Sequence, residues 1–146
     1  MTRPKTTPPT ERFDRIDYLL SELLTAIDPE GESHMRAEIE TKYRPLEAME
    51  NAMVDCLAML SWRIHGCEVA ETGQWSDVAP ALPPDVSRDL QDPAIIAKIS
   101  RYRLNLSGHA DNCRRTLDRY AAFRKRLSTV TGAQLKKLKP CTSVIQ

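Results

Sequence analysis

Apolar residues recur at helical spacing through most of this chain, and prolines and glycines stand where the spacing breaks. After Thr10, which is suited to cap a helix, Phe13, Ile16, Leu19, Leu20, Leu23, Leu24 and Ile27 follow at steps that keep them on one face. They predict an amphipathic helix of about five turns, stopped by Asp28-Pro29 and Gly31. A thinner stripe, Met35, Ile39 and Tyr43, predicts a second helix over 33–43. A third is expected from Pro45, whose missing N–H costs nothing in a first turn, to about residue 72. Along it Met49, Met53, Cys56, Leu60, Ile64 and Cys67 mark the stripe, Leu46, Val54 and Leu57 widen it, and Gly66 is a weak spot. From Gly73 to Asp92 the period is lost among Pro80, Pro83 and Pro84. That stretch reads as a loop with one helical turn at Asp85 to Leu90, which Trp75, Val78 and Leu82 could pin over the bundle.

The last segment carries the strongest pattern. Asp92-Pro93 opens it, Ile99, Leu106, Cys113, Tyr120 and Leu127 repeat every seven residues, and Tyr102, His109, Thr116 and Phe123 repeat three residues later. Together they predict an a/d seam, broadened by Ala110 and Leu117, with Gly132 as its stop. The expected architecture is all-α: a long antiparallel helical hairpin in a coiled-coil-like bundle over 10–131. A disordered tail over 1–9 precedes it, and a basic flexible tail over 132–146 follows. Met53, Leu57, Leu60, Trp62, Ile64, Ile99, Tyr102, Leu106, Tyr120 and Phe123 are the expected core and contact residues. Helix 45–72 is apolar on more than one side, through Leu46, Met49, Val54, Leu57, Met59 and Trp62. One hairpin partner cannot cover so wide a face, so a homo-oligomer or a partner protein is expected.

Charge changes this picture. The formal total is +1, but residues 1–97 hold 18 acids against 9 Lys/Arg, and residues 98–146 hold 12 Lys/Arg against Asp111 and Asp118 alone. A basic last third on an acidic remainder predicts either helices that complement one another within the bundle or a surface for an anionic partner. Arg114, Arg115, Arg119, Arg124, Lys125 and Arg126 are the candidates for nonspecific nucleic-acid binding, joined by Lys136, Lys137 and Lys139. The favoured expectation is that they meet the chain's own acidic helices.

No apolar run approaches the length of a membrane span, and the N-terminal MTRPKTTPPTER has no apolar signal core, so a cytoplasmic protein is expected. The four cysteines show no CxxC spacing and read as reduced thiols. No GxSxG, P-loop, HExxH or GxGxxG is present, and the acid pairs Glu38/Glu40, Glu47/Glu50 and Glu68/Glu71 read as solvated faces. Neither catalysis nor a cofactor is expected. His109 and Cys113, one turn apart and with Cys56 opposite, could face one metal ion, but a fourth ligand is hard to bring near. No metal site is expected.

Two stretches, PLEAMENAMVDCLAMLSWRIHG and ISRYRLNLSGHADNCRRTLDRYAAFRKRL, together resemble a family of bacterial helical proteins of unknown function found near mobile elements. The resemblance is carried by Trp62-Arg63 on one helix and Arg101-Tyr102 on the other. Ser61 and Arg103 depart from the family pattern, as does the N-terminus. The resemblance implies a pair of long helices and no known activity.

Overall fold

The structure, a computed structural model, describes residues 8–145, with side chains over 15–130. It is all-helical: α1 (Pro8–Ile27), α2 (Gly31–Tyr43), α3 (Ala48–Thr72), a short 3₁₀ turn (Ala79–Ala81), α4 (Pro84–Asp89) and α5 (Pro93–Ile145). The helices form a bundle around α3, which packs chiefly on α5 and also on α2 and α1. Leu19, Leu20 and Leu23 of α1, Val54, Leu57 and Cys67 of α3, and Ile99, Ala110 and Leu117 of α5 build one continuous core. Leu60, Leu106, Met53, Ile64 and Tyr102 belong to it or pack against it. Three neighbouring helices cover most of the breadth of α3's apolar surface within the chain, while Leu46 and Met49 at its start stay exposed.

Several boundaries differ from expectation, each for a local reason. Of the tail expected over 1–9, residues 1–7 lie outside the described residues, while Pro8 and Pro9 already stand in the first turn of α1, where proline is tolerated. α3 begins at Ala48 rather than Pro45, because Glu47 takes the cap with extended backbone and the Glu50 carboxylate accepts the Leu46 and Glu47 N–H groups. Gly132 does not stop α5, which continues as helix to Ile145 in place of an irregular tail. One glycine costs a helix about 1 kcal/mol, and the good helix formers around it offset that.

The stretch 73–92 is folded. Val86, Leu82 and Leu90 are buried, and Trp75 and Val78 pack against the core. Arg15 of α1 reaches Asp89 and Asp85 and ties the α4 turn down. Two glycines permit close helix crossings. A Cβ on Gly31 would lie 2.0 Å from the Trp62 ring, and one on Gly66 would meet Leu24 at 3.0 Å. Gly66 thus allows α1 to seat on α3 and is more than a weak spot.

α3 and α5 run in opposite directions, since Glu50 near the start of α3 pairs with Arg124 and Glu71 near its end pairs with Arg103 at 2.6 Å. The seam on α5 is rotated from the expected one. Ile99, Leu106 and Cys113 are buried as expected, but their companions are Ala110 and Leu117, four residues after each, with Arg103 and Arg124 continuing the same row. His109 and Phe123, expected at the seam, are exposed. The small Ala110 admits close approach, and the imidazole on the flank keeps its water.

Candidate interaction site

α5 is 53 residues long and α3 is 25, so at 1.5 Å per residue the two differ by about 40 Å. The excess gathers where α3 begins. Past Arg124, α5 leaves α3 behind, and Leu127, Ser128, Thr129 and Val130 are exposed. At this departure point Leu46, Tyr120, Phe123 and Leu127 line a cleft of about 250 Å³ with Glu47, Glu50 and Arg124. Leu46 is 72% exposed and Phe123 53%. Large apolar side chains grouped and exposed in this way are the mark of a surface that another molecule covers.

A buried ion pair anchors the floor of the cleft. Glu50 is the buried charged residue among those described, and Arg124 donates to one of its carboxylate oxygens. The Leu46 and Glu47 N–H groups donate to the other oxygen at 3.4 and 3.3 Å. The hydrogen bond from Arg124, aided by those two N–H groups, holds the Glu50 carboxyl below its ordinary range despite desolvation. The pair fixes where α5 crosses the start of α3, and so fixes Phe123 next to Arg124 and Tyr120 one turn before it.

The six basic candidates divide on inspection. Arg124 meets an acid of another helix, as does Arg103, which was not among the six. Arg114 pairs with Asp111 on its own helix, and Arg115 donates to Asn112. Among the described residues no ion pair joins Arg119, Lys125 or Arg126 to an acid, and all three are exposed. The expectation that this set meets the chain's acidic helices therefore fits Arg124 alone. Arg119 and Arg126 instead flank Phe123 and Tyr120 along a second shallow depression on α5.

The metal candidates come together only in part. Cys113 is buried in the seam and Cys56 is half-buried against the same core, where burial and then Cys56 push the Cys113 thiol up, but His109 is exposed. No group of three or more His, Cys, Asp or Glu side chains is placed to hold a metal among the described residues.

The blocks Trp62-Arg63 and Arg101-Tyr102 meet at one point. The Tyr102 hydroxyl donates to Asp17 of α1 at 2.7 Å and accepts from Arg63 of α3 at 3.3 Å. Burial, then Asp17, pushes the phenol up to about 12. It stays protonated at any ordinary pH and links three helices. Trp62 stacks on His65 and lines a polar pocket with Asp17, Asp28 and Arg63.

Comparison with known families, characterised proteins and solved structures finds no match. The functional reading rests on these side chains. Among the described residues no helix is long and apolar enough to cross a membrane. Leu46 was among the residues read as too widely spread for one helical partner, whereas Glu50, read as part of a solvated face, is a buried acid. The signal for Glu50 was its place three residues after Glu47 at a helix start, a capping-box spacing.

Proposed function

We propose that this protein is a non-catalytic helical interaction module that docks through the cleft at the start of α3 and the run of α5 beyond it. The observation that carries this reading is the exposed cluster of Leu46, Phe123 and Leu127 beside the exposed run of α5 from Leu127 to Val130. The α3–α5 pair serves as a coiled-coil-like hairpin that presents this end. A second copy is the favoured occupant. The chain's opposite charges are only partly joined within the bundle, so the exposed Arg119, Lys125 and Arg126 of one copy complement exposed acids such as Glu38 and Glu47 of another. A cytoplasmic location and the resemblance to mobile-element-associated helical proteins accord with such a role.

A second reading has its own support. Phe123, with Arg119 and Arg126 on either side, is the combination of ring and cation on which single-stranded nucleic acid stacks.

Sedimentation of the full chain separates the two readings. Self-association predicts a mass above the 16.5 kDa of one chain at micromolar concentration, reduced to the monomer by Phe123→Glu or Leu127→Glu with helicity intact. A wild type that stays monomeric but binds a thymidine oligonucleotide at ~150 mM salt, with binding lost in Arg119→Glu, would favour the second. Monomeric protein with no such binding would refute both.

A further inference from the structure

The antiparallel pairing of α3 and α5 sorts the chain's charge to its two ends. Where α5 leaves α3, residues 119–130 hold four Lys/Arg and no acid. Arg124 is taken by Glu50, and Arg119, Lys125 and Arg126 are exposed with no ion pair among the described residues. At the other end, where α3 stops and α5 starts, residues 68–92 hold six acids against Arg88 alone. There Arg103 takes Glu71, and Arg15 takes Asp85 and Asp89. Glu68, Asp77 and Asp92 are left exposed, with no ion pair among the described residues. The two ends cannot neutralise one another within one chain. From Arg103 to Arg124 the helix rises about 32 Å, several times the ~8 Å over which physiological salt screens a charge.

We propose that the basic docking end of one copy seats on the acidic end of a second, formed by the last turn of α3 and the connection 73–92; this rests on the reading of the cleft as a self-docking surface. Charge decides between unlike and like ends. Two basic ends brought together would set three free cations against the same three, with Glu47 the one exposed acid lining the cleft. The acidic end offers the cations Glu68, Asp77 and Asp92 instead. It also offers apolar area to Phe123 and Leu127, because Pro80 and Pro84 are exposed there and Trp75 and Val78 are only half-buried. Two chains laid antiparallel join both pairs of unlike ends at once, so the contact closes on a second copy. The connection 73–92, held down by Arg15, is thereby the seat of the docking contact.

The test reverses charge at each end of the full chain and follows mass by sedimentation and helicity by circular dichroism. One variant carries Lys125→Glu with Arg126→Glu, the other Glu68→Lys with Asp77→Lys; all four side chains are exposed, so helicity should match wild type. Each variant alone should sediment at the mass of one chain where wild type assembles. Mixed in equal amounts they should regain a mass of at least two chains, since the reversed ends then match each other and the unaltered ends still match. Wild-type association should weaken at least tenfold between ~0.1 and ~0.5 M salt. An acidic-end variant that assembles alone as wild type does would overturn the proposal while leaving self-docking in place. A mixture that stays monomeric, or wild-type assembly indifferent to salt, would overturn it too. A wild type monomeric at every concentration would remove both the proposal and the reading beneath it.

Discussion

Two stretches of the same helix, residues 99–124 and 125–130 of α5, carry the same kind of heptad pattern and meet opposite fates. In the first, Ile99, Leu106, Ala110, Cys113 and Leu117 are buried against α3 and its neighbours, and Arg103 and Arg124 bracket them with ion pairs to α3. In the second, Leu127 and Val130 keep to the spacing but are about half exposed, because α3 has already ended. A seven-residue period shows that a face is to be covered. Which molecule covers it depends on where the neighbouring helices stop, and that is a property of the whole fold.

The sharpest way to break the comparison is to truncate one apolar side chain in each stretch. Leu117 is 1% exposed, so Leu117→Ala should cost about 3 kcal/mol in urea unfolding of dilute protein. Leu127→Ala, in the second stretch and on the open face, should stay within about 0.5 kcal/mol of wild type. Equal losses at the two sites would mean that Leu127 supports the fold as much as Leu117 does.

A smaller effect sharpens the boundary between the stretches. Glu50 is held below the ordinary glutamate range first by the hydrogen bond from Arg124, so its stabilisation is complete above the unfolded value of about 4.3 and is lost as pH falls through the lower folded value. Thermal unfolding from neutral to acid pH should show that loss. Glu50→Gln should flatten the acid limb while costing on the order of 2 kcal/mol at pH 7. Arg126→Gln, two residues past the boundary, should leave both the limb and the neutral stability where they were. An acid limb unaltered in Glu50→Gln would remove the pair from the account of where α5 is anchored.

Much of this fold was legible along the chain, because long helices declare themselves through local periodicity. The four principal helices, the turn at α4 and the pinning of Leu82, Trp75 and Val78 follow from spacing and breakers alone. The rotation of the α5 seam was harder to see. His109 and Thr116 sit at good heptad positions, and only the closeness of α3 makes Ala110 the better neighbour. The helix beyond Gly132 was missed by treating one glycine as a stop. At the docking end, the sequence showed basic residues but not which were already engaged. Arg124 and Arg126 look alike in a row of cations, and only the arrival of Glu50 from the start of α3 separates them. An antiparallel register set Cys56 near His109, and the exposure of His109 depended on the same helix rotation.

Amide hydrogen exchange read residue by residue along α5 tests the division of this helix most directly. In dilute protein, amides from Leu106 to Leu117 should exchange only through global unfolding, while those of Ser128, Thr129 and Val130 should exchange through local fraying, orders of magnitude faster. Raising the concentration into the range of self-association should slow exchange at Leu127 to Val130 and leave Leu106 to Leu117 unchanged. Equal protection of the two stretches in the dilute monomer, or no gain past Arg124 at any concentration, would contradict the assignment of one stretch to the fold and the other to a partner.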